Sequence, residues 1–275
     1  MVSLSNHGQP PRSRSGRSAM DVATEAAQRA GKVLRDRLPT PKEISLKGRK
    51  DIVTDVDLAA EKAVLDLLRE EYPGFGILSE ESAPIPSASP YTWVVDPLDG
   101  TRNYASGIGH FCTVIALSHG NDPVLGITYD PLREELYSAE LGMGAFLNGE
   151  RLSISEKREL SQCLLCCDMG YVDEKAGQAI DLIQFLWPGM LSLRLMGSAG
   201  LGVAYAAAGR VDLYFHHSLS PWDIAAGLVL VREAGGIIVD KLGQPANLRT
   251  SSVIASNSQL VEGFLGATEG LAWRN

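Results

Sequence analysis

The stretch Trp93-Val94-Val95-Asp96-Pro97-Leu98-Asp99-Gly100-Thr101 constrains this chain more than any other. Two carboxylates, a proline, a leucine, a glycine and a threonine fill six successive positions at the end of an apolar run. Trp93 to Val95 read as a buried strand, and Pro97 and Gly100 are expected to break it, so that Asp96 and Asp99 leave the sheet edge in a turn. Two acids held that way repel each other unless a cation sits between them. The plain alternative is that Asp-Pro and Asp-Gly are ordinary turn dipeptides.

A second acidic cluster, Glu80-Glu81, follows the short apolar stretch Ile77-Leu78. A third acid lies far downstream in Ser220-Pro221-Trp222-Asp223, which opens a helical pattern from Ile224 to Ala234. Ser220 with Asp223 has capping-box spacing, and Pro221 fits the first helical turn, so capping alone is a sufficient role for Asp223.

All of these acids fall on one pattern. Asp96-Pro97-Leu98-Asp99-Gly100-Thr101-Arg102-Asn103 resembles the first signature of the inositol monophosphatase family of metal-dependent sugar phosphatases, and Trp222 to Gly236 resembles its second. Gly126 to Pro131, Glu135 to Ala139, Gly144 to Gly149 and Lys47 to Glu61 are similar to that family as well. The likeness spans roughly residues 20 to 265, and two signatures at the right separation are more specific than one short motif.

The 275 residues are enough for a large core and suggest about two lobes. No apolar run reaches the roughly 18 residues of a membrane span, and no hydrophobic signal stretch opens the sequence, so a cytoplasmic protein is expected. Residues 1–19 carry three Arg and no acid and read as a disordered basic leader; removing their +3 from the formal −8 leaves −11. An acidic body argues against nucleic-acid binding through a basic face. Met20 begins a helical pattern, which raises the expectation that translation starts there. Cys112, Cys163, Cys166 and Cys167 sit in apolar stretches and read as buried reduced thiols.

Beyond the leader, residues 20–154 form an expected N-terminal α+β half and residues 155–275 a C-terminal α/β half. A hairpin tip is expected over 47–51, a helix from Thr54 through about Tyr72, and short strands from Gly76 to about Ile154. Strands and helices then alternate, with helices near 180–187, 199–208 and 222–234 and a last one near Gln259. The resemblance implies an α+β fold layered α-β-α-β-α, with the site between the two halves.

It also implies the chemistry. Hydrolysis of a phosphate monoester is slow because an anionic phosphoryl group repels its nucleophile and the alkoxide leaves poorly, and two or three Mg²⁺ ions address both difficulties. By resemblance, Glu80, Asp96 and the Leu98 carbonyl hold one ion, and Asp96, Asp99 and Asp223 a second. Glu80, the first acid of its Glu-Glu-Ser triplet, is preferred over Glu81. Thr101 touches the attacking water and is polarised by Asp57. Gly100 and Thr101 N–H groups meet phosphate oxygens, and Lys47 matches a lysine near the metals, with a solvated loop as its alternative. Lithium sensitivity and a homodimer are implied in the same way.

Gly197, Ser198 and Ala199 match the loop that contacts the alcohol portion of the substrate, alongside Asp99 and Asp223. Arg194 either supports that loop or is a surface residue. Where inositol-specific members carry an acid seven residues before Asp223, this chain has His216, followed by His217. An imidazole there leaves fructose 1,6-bisphosphate and histidinol phosphate open beside inositol monophosphate, or places both histidines in a solvated loop. A 3'-phosphoadenosine 5'-phosphate phosphatase is a further rival, and a non-catalytic regulatory member of the fold a remote one.

Overall fold

The computed structural model describes residues 10–48 and 51–274. Its first helix, α1 (Ala19–Arg37), begins where Ser18 and Asp21 satisfy each other's backbone N–H groups in a capping box. Met20 is therefore the second helical residue. Residues 13–17 are tied to the rest of the chain. Ser13 is buried, Arg14 N donates to the Glu71 carbonyl at 2.8 Å, and Ser15 Oγ donates to the Glu71 carboxylate at 2.6 Å. The expected disordered leader is thus corrected for residues 10–18, whose serines find partners at the end of a helix; residues 1–9 lie outside the described part.

A short hairpin, β1 (Ile44–Leu46) with β2 (Ile52–Thr54), leads into α2 (Asp55–Glu71), which Thr54 and Asp57 cap reciprocally. Residues 49 and 50 at the hairpin tip lie outside the described part.

Next come β3 (Gly76–Ser79), β4 (Tyr91–Asp99), the short helix α3 (Thr101–Ala105), β5 (Cys112–His119), β6 (Asp122–Asp130), β7 (Glu135–Glu140), β8 (Gly144–Leu147) and β9 (Glu150–Arg151). The seven strands form one sheet in chain order, parallel between β3 and β4 and antiparallel elsewhere.

The rest of the chain runs β10 (Leu164–Cys167), α4 (Asp173–Leu186), β11 (Ser192–Leu195), α5 (Ala199–Ala207), β12 (Leu213–His216), α6 (Pro221–Glu233), β13 (Ile237–Val239), β14 (Val253–Ser256) and α7 (Ser258–Ala267). These five strands form a second sheet in the order β11-β10-β12-β14-β13.

Strand alternation builds the layers. Trp93, Val95, Ile115 and Leu117 face a core shared with α1 and α2, whereas Val94, Val114 and Ala116 face a second core with α5 and α6. In the smaller sheet Cys166, Tyr214 and Ala255 join that second core, while Leu165, Phe215 and Ile254 join a third with Phe264 and Trp273. The result is the α-β-α-β-α sandwich, with α5 and α6 between the sheets. The four cysteines are free and buried.

Small residues set how closely α6 approaches. A Cβ on Gly126 of β6 would lie 2.6 Å from Ala226 Cα, and one on Gly227 would lie 2.4 Å from Val203 of α5. Neither contact tolerates a methyl group without moving backbone or a packed side chain, so α6 is pinned against both neighbours and the position of its first turn follows.

Candidate active site

Asp96 and Asp99 do not leave the sheet in a turn. β4 continues through both, and its pairing with β5 slips between Asp96, opposite Val114, and Asp99, opposite Cys112. The irregularity absorbs Pro97, which has no N–H to give a ladder; its carbonyl accepts from Thr113 Oγ1 at 2.9 Å. The chain turns only afterwards, at Gly100, whose φ of 92° and whose 3.1 Å from the His110 carbonyl to a would-be Cβ require glycine.

Parallel pairing places Ser79 opposite Val95, and Glu80 N donates to the Val95 carbonyl at 3.2 Å, so the first residue beyond β3 lies beside Asp96. Asp223 arrives from the opposite direction, in the first turn of α6. It caps the helix by accepting from Ser220 N at 2.7 Å and also reaches the acids. Both roles expected for it hold at once, because a carboxylate has more lone pairs than one cap uses. Asp96, Asp99 and Asp223 each offer a carboxylate oxygen within 4.8 Å of the others.

The supporting contacts are specific. Asp99 accepts from Ser198 Oγ, from Gly200 N at 2.9 Å and from Ala199 N at 3.2 Å. The expected substrate loop therefore also positions an acid of the cluster. Asp96 accepts from Leu98 N at 3.0 Å. Thr101 Oγ1 lies 3.0 Å from Asp57 Oδ1 and 3.0 Å from the Leu98 carbonyl. Asp57 is held from behind by Thr54, whose N–H donates to it at 2.8 Å. Lys47 is engaged rather than solvated, pairing with Glu80 at 3.0 Å and Glu81 at 2.5 Å.

Burial, then Glu80, Asp99 and Asp223, push Asp96 well above the usual carboxylate range. Burial and Asp99 do the same to Asp223, and burial raises Asp99 against the pull of its Ser198 and Gly200 hydrogen bonds. Glu80 is raised by burial although Lys47 opposes the shift, and Glu81 is pushed to about 7. A hard divalent cation relieves this crowding, and an all-oxygen set of clustered carboxylates suits Mg²⁺.

A cleft of about 370 Å³ opens from Asp99 and Asp223, floored by Gly100 to Asn103 and closed on the far side by Asp168 to Tyr171, Leu195 to Ala199 and His216. His216 and His217 are buried, which corrects the solvated-loop alternative: both close off the end of β12. Ser218 N donates to His216 Nδ1 at 3.0 Å, and burial lowers the His216 pKa to about 3. Arg194 bonds Ser192 Oγ and the Leu193 carbonyl, both at 2.9 Å, so its surface role holds.

Sequence reasoning missed Asp168, Asn103 and Tyr171. Asp168 Oδ1 accepts from Met196 N at 2.9 Å and Gly197 N at 2.5 Å, and Asn103 Nδ2 donates to the Met196 carbonyl at 2.7 Å. The Arg102 guanidinium lies 4.2 Å from the centre of the Tyr171 ring. The one available signal for Asp168 was an acid directly after the apolar run Cys163 to Cys167.

The layered sandwich with carboxylates meeting beside its central helices defines the sugar phosphatase class of fold. The chain belongs to the inositol monophosphatase family, whose sequence pattern matches residues 17–271. It is 40% identical over 250 residues to the Nus factor SuhB of Salmonella typhimurium, covering 90% of this chain and 94% of that one. It is 36% identical over 260 residues to Inositol monophosphatase 2 of Solanum lycopersicum, covering 90% and 97%. The crystal structure of the extragenic suppressor protein suhB from Bartonella henselae superposes with a TM-score of 0.88 at 36% identity, covering 91% of this chain and 98% of that one.

Proposed function

We propose that this chain is a Mg²⁺-dependent phosphomonoesterase acting on a small sugar or polyol phosphate, with inositol monophosphate as its first candidate. The observation that carries the reading is the approach of Asp96, Asp99 and Asp223 to within 4.8 Å of one another, beside a threonine hydroxyl backed by a buried carboxylate. Glu80, Asp96 and the Leu98 carbonyl would hold one ion, and Asp96, Asp99 and Asp223 another. When bound, such ions neutralise phosphoryl charge, acidify water and stabilise the departing oxygen.

The chain's own groups supply position and proton handling. Thr101 donates its hydroxyl proton to Asp57, leaving oxygen lone pairs to accept from the attacking water and orient it. Burial raises the Asp57 pKa while the hydrogen bonds from Thr54 and Thr101 oppose the rise. Gly100 and Thr101 N–H groups meet phosphate oxygens, and the Gly197–Ala199 loop meets the alcohol portion. Lys47, bonded to Glu80, orients that acid.

A phosphate-release panel with Mg²⁺ over inositol 1-phosphate, fructose 1,6-bisphosphate, histidinol phosphate and 3'-phosphoadenosine 5'-phosphate tests the reading. Highest kcat/KM on inositol 1-phosphate supports it, a different preferred ester changes the substrate, and no release from any of them defeats the enzyme assignment. A second, non-catalytic reading is favoured by one observation, that a relative at 40% identity is named a Nus factor. The intact set of acids and Thr101 weighs against lost chemistry.

A further inference from the structure

One peptide group, the Met196 carbonyl with the Gly197 N–H, is held at both ends by side chains that are 65 residues apart in the sequence, Asn103 in α3 and Asp168 just after β10. Asn103 Nδ2 donates to the Met196 carbonyl at 2.7 Å, and the Gly197 N–H donates to Asp168 Oδ1 at 2.5 Å. The neighbouring groups join in. Asn103 Nδ2 also donates to the His110 carbonyl at 2.8 Å and approaches the Gly197 carbonyl at 3.3 Å, while Asp168 Oδ1 also accepts from Met196 N at 2.9 Å. Three carbonyls can only accept, so it is the nitrogen of the Asn103 amide, not its oxygen, that must face them. Although Asn103 borders the cleft, both hydrogens of that nitrogen are therefore committed within the protein.

Local structure explains the approach from each side. Cys167 pairs with Leu195 in the parallel ladder of β10 and β11, so Asp168 and Met196 are the next residues beyond it. Asp168 is 8% exposed, and its second oxygen accepts from Tyr214 Oη at 3.3 Å. Gly197 has a φ of 79°, and a Cβ there would lie 3.0 Å from Asn103 Nδ2, so glycine is what lets the amide come this close. The residue after the clamped peptide is Ser198, whose hydroxyl donates to Asp99, and the next two N–H groups, of Ala199 and Gly200, donate to the same carboxylate.

We propose that Asn103 and Asp168 are a coupled pair of positioning residues: by fixing and polarising the Met196–Gly197 peptide from its two ends, they aim Ser198, Ala199 and Gly200 at Asp99 and so set how well the acid cluster takes Mg²⁺. The proposal rests on the metal-binding part of the phosphatase reading and deepens it with two residues that act through Asp99. Hydrogen bonds in series through one amide reinforce each other, so removing either end weakens the other. Two independent supports would instead lose their contributions additively.

Calorimetric Mg²⁺ binding in a double-variant cycle separates these cases. Asn103→Leu keeps the volume and deletes the donor, and Asp168→Ala deletes the acceptor. Each is expected to weaken Mg²⁺ affinity about tenfold, the scale of partners that orient a metal ligand, and the double variant by about the same tenfold rather than about a hundredfold. Asp168→Asn, whose amide oxygen still accepts both N–H groups, is expected to recover most of the loss. Parent-like affinity in Asn103→Leu overturns the proposal by showing that the amide only fills space, and an additive loss of about a hundredfold in the double variant overturns it by showing two independent supports. Asn103→Ala serves in the same cycle if the leucine variant does not fold. A second readout needs no metal: the Gly197 amide proton, in a short hydrogen bond to a carboxylate, is expected far downfield in ¹H–¹⁵N spectra and is expected to move upfield in Asn103→Leu. An unmoved resonance defeats the coupling. A parent protein that binds Mg²⁺ but releases phosphate from no ester defeats the phosphatase reading while the affinity cycle still decides the pair, whereas a parent that takes up no Mg²⁺ defeats both.

Discussion

On one side of the cleft, Asp96, Asp99 and Asp223 crowd together, all with proton affinities pushed up by burial and Asp96 and Asp223 also by neighbouring acids. On the other, Asp168 and His216 are as deeply buried, yet each is matched to backbone N–H groups of its own neighbourhood. Like charge crowds the first side, whereas backbone hydrogen bonds hold the groups of the second in place. Frustration of like charges stores affinity for a cation, whereas satisfied hydrogen bonds hold a shape. The cleft joins a half lined by crowded carboxylates to a half held by hydrogen bonds; in the proposed reading the first would take metals and phosphate and the second the alcohol.

The sharpest way to break this contrast is Asp96→Asn. In the proposed reading an uncharged amide would hold the cations far less well than the carboxylate, so Mg²⁺-dependent turnover is expected to fall at least about a thousandfold. The same change removes one of the repelling charges, so the metal-free variant should melt at or above the parent temperature. Loss of activity together with a drop in melting temperature would show that Asp96 is structural. A tier below stands Ser198→Ala, which deletes the hydroxyl that donates to Asp99 and caps α5. Mg²⁺ affinity, read by calorimetry, should weaken about 10- to 100-fold, with about 1 kcal/mol of stability lost at the cap. Unchanged affinity would detach the alcohol loop from the metal half.

Asp168 tests the hydrogen-bonded side. Asp168→Ala leaves the Met196 and Gly197 N–H groups without their acceptor and should lower kcat/KM about tenfold. Asp168→Asn should recover most of that, since its amide oxygen accepts both. Equal losses would mean that charge, not hydrogen bonding, matters there.

The carboxylate-lined half was the legible one, and the reason is locality. Asp96, Asp99, Gly100 and Thr101 are neighbours in sequence, so their chemistry survives reading as text, even though β4 runs through Pro97 where a turn was expected. Periodicity located α1 and α2, whose buried faces repeat at helical spacing, whereas α6, buried continuously from Ile224 to Val231, was legible from its capping residues and apolar run. It placed the start of α4 too late: the helix opens at Asp173 in a polar stretch that shows no apolar face. Asp168 was invisible for a different reason, since its partners lie 28 and 29 residues away and exist only once β10 and β11 pair. The ordering of residues 10–18 escaped in the same way, because Glu71 is 56 residues from Ser15.

The smallest expected effect concerns stability without metal, and its sign follows from the same contrast. Asp168 is pushed by burial to about 6 and Glu81 to about 7, with Asp96, Asp99 and Asp223 also raised. A raised carboxyl keeps its proton in the folded chain after the unfolded chain has released it, so the folded state binds more protons above the ordinary carboxylate range near 4. Stability is therefore greatest below that range and declines as pH rises through about 6 and 7. Calorimetric melting in chelator should show a fall of roughly 5 °C between pH 5 and pH 8. Saturating Mg²⁺ should flatten that slope, because the cation favours the ionised acids it binds, leaving mainly the shares that belong to Asp168 and Glu81. A metal-free melting temperature that rises across this interval would mean that the acids are not frustrated, and the distinction between the two sides of the cleft would disappear.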